Sequence, residues 1–528
     1  MDEKQNISMS SPGFAFRLWG GQEIVRVTDN NDEDWLPENN AWCIKYSHSY
    51  SSIHIIYLSD TVAGQTYDDA VVYKLFDARN NRLLRTHILF GNEETIPTSA
   101  SLAMLPLSQH LNVACTYYDY EDDEGRVVNR RSTNGGFDWR TPASISSAVN
   151  VEQGDVSNTA ATVPDNKFRI HYVWTRESEI SQLQTEGDVY YEYKEYNVAD
   201  GSEEPPVDAR QLSFTGTAML PSVAASGPYV FAVWEDEGRI YLRRNSNYGT
   251  GGWDVAVQVS PNIPGSWAEK PCVAACSPFV YVVWEQHLSY GNYSAPTVYL
   301  RRSTDNGVSW QPAMPVGFYA NGIERNYPPY QFTPSLCVSG SKVYAVWQDR
   351  ISWGEYSVVA KRSVNNGETW SDPVVIGGQE PAGGEPEMNP SCSAEGDVLY
   401  VVWADRSDGD SEIYYGKLDA WPSATGEGAQ GYGNGLALPI EVKVINGYGP
   451  APVRIHLKIK ESASLKAEIY DTAGRLVGVL ADGLFTAGAH ELIWDGTGQH
   501  GEQVNDGVYF VNLSTGKGAA SAKILVLK

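Results

Sequence analysis

Short runs of apolar, mostly β-branched residues that end in Trp and a polar group recur along the chain: YVWTR from Tyr172, FAVWED from Phe231, YVVWEQ from Tyr281, YAVWQD from Tyr344 and YVVWAD from Tyr400. HIIYLSD from His54 and VACTYYD from Val113 have the same pattern with Tyr in the Trp position. The aligned aromatics at 57, 117, 174, 234, 284, 347 and 403 are spaced by 60, 57, 60, 50, 63 and 56 residues. Such a period, filled only by β pattern, predicts propeller blades rather than a helical solenoid.

One repeat parses into four strands: LPSVAAS from Leu220, YVFAVW from Tyr229, RIYLRRN from Arg239 and VAVQVS from Val255. First strands recur as KPCVAAC, TPSLCVS and NPSCSAE, with Pro271, Pro334 and Pro390 placed where the ladder is only starting and a missing N–H costs little. The seventh repeat runs out after EIYYGKLDAW without a fourth strand, whereas GQEIVRVTD from Gly21 has the pattern of one. The expectation is a seven-bladed β-propeller over residues 1–421, closed by that N-terminal strand, with six blades as the alternative count.

A second motif keeps phase with the first. Ser132, Asn134, Gly136 and Trp139 recur as Ser303, Asp305, Gly307 and Trp310, and as Ser363, Asn365, Gly367 and Trp370. A fourth copy has Asn245, Asn247, Gly249 and Trp253, with one extra residue before its Trp. Physically this is a hairpin turn: a short polar side chain accepts backbone N–H bonds, Gly takes positive φ, and the Trp folds back on the blade. The motif resembles the Asp-box, or bacterial neuraminidase repeat, of sialidase-like propellers, and the resemblance implies a structural role for these residues. The sialidase Phe-Arg-Ile-Pro motif has no equivalent beyond Phe16-Arg17-Leu18-Trp19, so the catalytic residues of that family are not carried over.

Residues 422–439, PSATGEGAQGYGNGLALP, are Gly-rich and read as a linker. Beyond them VRIHLKIK, LKAEIYDTAGRLVGVL, GAHELIWDG, GVYFVNL and AKILVLK alternate in the manner of a small immunoglobulin-like β-sandwich over 440–528. Tyr470, Asp471, Gly474, Arg475, Gly488, His490, Trp494, Asp495, Gly496, Gly507, Val508, Tyr509, Phe510 and Lys528 resemble the type A C-terminal sorting domain of the type IX secretion system. The resemblance implies export through that machinery to a secreted or cell-surface location.

The 49 Gly, 28 Pro, 32 Tyr and 16 Trp suit short strands joined by turns. The net charge of −26 resides in residues 1–440, since 441–528 contain nine acids and nine bases. So acidic a surface repels nucleic acid and anionic membranes, and no apolar run is long enough to span a bilayer. The acidic start MDEKQ is not a signal peptide, so export implies a leader already removed. The six Cys lack zinc-site spacing and read as buried thiols, and His54 and His171 read as packing residues. No cofactor is required by any motif. The acidic clusters Asp29 to Asp34 and Asp408 to Glu412 offer oxygen ligands to Ca²⁺, although neither fits an EF-hand loop and a solvated turn is the favoured reading.

Function is then expected at the loops between second and third strands and at the links between blades. The candidates are Asp119, Arg176, Asp236, Trp267, Glu324, Arg325, Tyr327, Asp349, Arg350, Trp353, Asp405 and Arg406. Carboxylates beside aromatics suit sugars, whose hydroxyls need acceptors and whose C–H faces stack on rings. For the Asp two positions after Trp, capping of its own loop is the favoured reading, and Arg350 and Arg406 are read mainly as ion-pair partners of their neighbours. The expected function is binding of an extracellular glycan or glycoprotein, with a sialidase-like glycoside hydrolase or a polysaccharide lyase as the alternative. No catalytic pair is identifiable from sequence.

Overall fold

The computed structural model describes residues 16–19, 22–28, 34–36, 43–62, 65–91, 95–119, 124–146, 153–177, 187–199, 201–205, 209–290, 293–317, 330–352, 355–371, 373–381, 388–406, 411–419, 421, 440–445, 448–449, 453–459, 462–471, 475–498, 502–505, 507–515 and 518–526. Among them every regular element is a β-strand, and no helix is long and apolar enough to cross a membrane. The chain divides into two compact units, one spanning 1–317 with 329–421 and the other 318–328 with 422–528.

In the first unit each aromatic run is the second strand of an antiparallel meander. The meander around Trp284 is typical: Trp267–Cys276, Phe279–Tyr290, Tyr293–Ser303 and Met314–Pro315 pair in sequence order. The first strands of successive meanders lie against one another in cyclic order: Ile44–Ser47, Thr95–Met104, Gln153–Val163, Ala218–Ser226, Trp267–Cys276, Gln331–Ser339, Ser391–Glu395 and back to Ile44–Ser47. Serine hydroxyls stitch this ring by accepting backbone N–H bonds: Ser99 from Val156, Ser157 from Val223, Ser222 from Val273, and Ser391 from Cys43, at 2.9–3.3 Å. They satisfy donors on the inner edge of each sheet that no further strand pairs.

The strand Gln22–Arg26 pairs with Glu412–Leu418, Glu23 opposite Lys417 and Arg26 opposite Tyr414, beside the meander of Trp403. The expected N-terminal closing strand is therefore present. Trp174, Trp284, Trp347 and Trp403 are at most 1% exposed, and the apolar positions beside them form the inter-sheet core. Pro390 directly precedes the strand Ser391–Glu395, as expected, whereas Pro271 and Pro334 lie inside their strands and need another account. Lys270, Thr333 and Asn389, which precede Pro271, Pro334 and Pro390, have φ of 51°, 47° and 40°. In the strands at Pro271 and Pro334 the ladder slips, between Glu269 and Cys272 and between Phe332 and Ser335. These prolines are tolerated because a bulge has already left that N–H out of the ladder.

The second unit has a three-stranded sheet, Ile440–Ile445 with Val453–Ile459 and Gly488–Trp494, and a five-stranded one built on Ala463–Asp471 and Gly507–Thr515. Val453, Ile455, Leu457 and Ile459 alternate into a core with Leu465, Ala467, Ile469, Trp494, Val511 and Leu513, as a two-sheet packing demands.

At the closing strand, Arg26 and Thr28 both hold Glu412, and the fully buried Asp34 pairs with Ser59 across the ladder. Burial pushes the Asp34 carboxyl up to about 7, the hydroxyls of Ser59 and Thr28 oppose the shift, and the charge of Glu412 adds to it. The fold thus holds a proton that the unfolded chain releases near pH 4, so this group lowers stability progressively as pH rises from about 4 to about 7. Asp34→Asn is expected to flatten that slope: in thermal unfolding between pH 4 and 8, the variant's Tm advantage should grow across the interval. An unchanging difference would mean that Asp34 is already ionised in the fold.

Candidate functional site

The turn motif does what its residue types require. Ser132, Ser303 and Ser363 each donate to the side chain two residues on, at 3.0, 2.7 and 2.9 Å, and each accepts the N–H of Gly136, Gly307 or Gly367 at 2.8–2.9 Å. Asn134, Asp305 and Asn365 then accept the N–H four residues further on. In the fourth copy Asn245 replaces the serine and accepts from Asn247 and Gly249, while Asn247 donates to Thr250. Glycine is obligatory at Gly136 and Gly249: φ is 83° and 84°, and an added Cβ would lie 1.8 Å from the hydroxyl of Tyr73 or Tyr191. Those hydroxyls are fixed by His54 and His171, which burial holds as neutral imidazoles near pKa 3. Trp139 and Trp253 pack edge-on against the same two tyrosines, while Trp310 and Trp370 are partly buried against neighbouring core clusters.

At the opposite end of the meanders the residues after Trp serve the indole and the neighbouring sheet. Trp347 Nε1 donates to Asp349 Oδ2 at 2.9 Å, and Gln331 Nε2 donates to the same oxygen at 2.8 Å. Trp284 Nε1 donates to Gln286 in the equivalent place. One residue earlier, Glu285 accepts from Thr333 N at 2.6 Å and Gln348 from Met388 N at 3.0 Å, each across to the next first strand. Asp349 is fully buried, so it caps a core indole rather than its own loop. Asp236 is buried and accepts from Thr217, and Asp405 is buried as well.

Of the cationic candidates, Arg176 lies 5.8 Å from the Tyr190 ring and Arg350 lies 5.4 Å from the Tyr330 ring, while Arg406 is exposed. The Asp119 side chain and residues Glu324, Arg325, Tyr327 and Trp353 lie outside what the structure describes. Asp29 to Glu33 and Asp408 to Asp410 lie outside it too, whereas Asp34 and Glu412 are drawn together at the closing strand.

Trp267 is the exception among the described tryptophans. It is 38% exposed, and its ring lies flat on His287 at 4.5 Å and 14°. Register explains the stack, since Trp267 faces His287 and Glu269 faces Glu285 on paired strands. His287 Nε2 lies 2.6 Å from Glu269 Oε1 and 3.5 Å from Glu285 Oε2. Burial works against a charge on His287, but the two carboxylates outweigh it and hold the imidazolium up to about 9. Burial likewise opposes the Glu269 carboxylate, and contact with His287 keeps it below its ordinary range. Lys270 Nζ stands 3.8 Å from Glu285 Oε1. Sequence reasoning singled out Trp267 but missed Glu269, Lys270 and Glu285.

The axis of the ring holds a cavity of about 300 Å³ lined by small and thiol side chains, including Ala160, Ala224, Ala274, Cys337 and Cys392, with Lys45 among them. Desolvation lowers the Lys45 ammonium to about 8, and burial pushes the Cys43 and Cys272 thiols up to about 12. Glu269 and Glu285 are not among the residues that line this cavity.

Asp349→Ala leaves two buried donors without their shared acceptor, so a loss of about 2–4 kcal/mol is expected in urea unfolding. Asp349→Asn keeps an acceptor and should cost clearly less; equal losses would refute the capping role.

A model of the FlgD Ig-like domain matches residues 443–519. No curated protein matches the chain. Among solved structures, a PL25 ulvan lyase is 10% identical with a TM-score of 0.46, covering 74% of this chain and 94% of its own. The phage phi92 endosialidase is 10% identical with a TM-score of 0.38, covering 80% and 75%. A GH93 α-L-arabinofuranosidase of Fusarium graminearum is 12% identical with a TM-score of 0.39, covering 60% and 92%. At these values no residue role passes from those proteins to this one, and the chain carries an FlgD Ig-like domain at the end of an all-β body.

Proposed function

We propose that this chain is a secreted or cell-surface β-propeller that binds an extracellular glycan or glycoprotein at a face centred on Trp267, Glu269, Lys270, Glu285 and His287. The observation that carries the reading is the half-exposed Trp267 ring, held flat by His287 beside carboxylates and an ammonium. A sugar stacks its C–H face on such a ring while charged neighbours take its hydroxyls. Holding the ring in advance removes most of the side-chain entropy that binding would otherwise cost.

The architecture in this reading is seven blades over residues 1–421, a linker over 422–439 and an immunoglobulin-like domain over 440–528. The cyclic contacts of the first strands and the pairing of Gln22–Arg26 with Glu412–Leu418 support seven. The turn hydrogen bonds support the Asp-box likeness, and the sorting-domain likeness of the C-terminal residues supports export through type IX machinery. A second reading, hydrolysis or elimination on polysaccharide, draws on the same cluster, where two carboxylates and an imidazolium meet.

Sialosides and acidic and neutral polysaccharides arrayed against the full chain, read for binding and for product, separate the two readings. Trp267→Ala is expected to weaken binding about tenfold or more while leaving the unfolding transition in place, because the ring is a surface anchor rather than core. Product from a polysaccharide would favour the enzyme, and binding untouched by Trp267→Ala would move the ligand face elsewhere.

A further inference from the structure

Glu269 and Glu285 are direct partners on antiparallel strands, an arrangement that repels when both are charged. Glu285 is 0% exposed, and only its Oε1 is served, by Thr333 N. Glu285 Oε2 and His287 Nε2 are both buried, and neither makes a hydrogen bond of normal geometry despite lying 3.5 Å apart. Nor does the 2.6 Å approach of Nε2 to Glu269 Oε1 have the direction of a hydrogen bond. One ligand atom from each of Glu269, Glu285 and His287 lies within 4.8 Å of the others. Glu412 differs in kind, because Arg26 and Thr28 serve both of its carboxylate oxygens.

We infer that Glu269, Glu285 and His287 form a site for one divalent first-row transition ion of the Zn²⁺ or Mn²⁺ class. A cation among the three atoms displaces the Nε2 proton of His287 to solvent, screens the opposed carboxylates from each other and gives the two buried atoms a partner. One imidazole nitrogen and two carboxylate oxygens match that class and disfavour soft ions, while a histidine ligand disfavours Ca²⁺ and Mg²⁺. The ligands sit on paired strands, which hold them more firmly than loops would. Thr333 N fixes the inner oxygen of Glu285, and Trp267 braces the imidazole ring from one side. Three protein ligands leave coordination positions open beside the partly exposed Glu269 and Trp267.

The test uses the full chain stripped with EDTA and titrated by calorimetry with ZnCl₂, MnCl₂ and CaCl₂, without any sugar, so that it is independent of the glycan reading. Zn²⁺ or Mn²⁺ is expected to bind with one equivalent per chain and to raise Tm. Glu269→Gln and His287→Ala should each weaken binding at least tenfold and abolish the Tm rise. Glu269 is partly exposed, so Glu269→Gln is expected to fold, and its circular dichroism and metal-free Tm verify that. Absence of stoichiometric binding by both transition ions, binding of Ca²⁺ alone, or affinity unchanged in both variants would overturn the assignment.

Discussion

The buried indole at the end of the second strand is the constraint on which the ring of antiparallel meanders depends. Trp174, Trp284, Trp347 and Trp403 are among the largest buried side chains of the body, and sheet-to-sheet packing is organised around them. An indole N–H taken out of water needs an acceptor, and Asp349 and Gln286 supply one two residues further along the same strand. The residue between faces the neighbouring sheet, where Glu285 accepts the N–H of Thr333 at a bulge and Gln348 accepts that of Met388 just before the next first strand. The polar residues after Trp284 and Trp347 are therefore scaffold, and Asp236 and Asp349 are already engaged.

Against that background the meander of Trp284 is chemically distinct. Its Glu285 performs the same inter-sheet service as Gln348, but it also faces Glu269 across the ladder and has His287 two residues on, on the same side of the strand. The bulge between Glu269 and Cys272 coincides with the left-handed backbone at Lys270, and the exposed Trp267 opens the same strand. The result is a cluster in which charges meet by close approach, beside the partly exposed Trp267. The turn motif lies at the other end of the meander, where Ser303 pairs with Val280, so scaffold turns and candidate site are separated by the length of the strands.

Much was legible in the sequence because it is local. The recurring apolar run ending in Trp gave the strands and their period, since alternation and burial on two faces require β-branched and aromatic residues. The Ser-x-Asn-x-Gly spacing gave the turn, because each hydrogen bond in it spans no more than four residues. The alternation of Val453, Ile455, Leu457 and Ile459 gave the C-terminal sheet. What only the tertiary structure decided is which distant residues meet. Glu269 and Glu285 become neighbours through register across a hairpin with a bulge in it, and Arg26 reaches Glu412 through closure of the chain ends. Asp349 is expected from sequence to cap its own loop, and only its burial beside Trp347 shows that it caps the indole instead. Periodicity and turn chemistry are properties of a short segment, whereas register, closure and the burial of a charge depend on how segments far apart in the chain come to lie side by side.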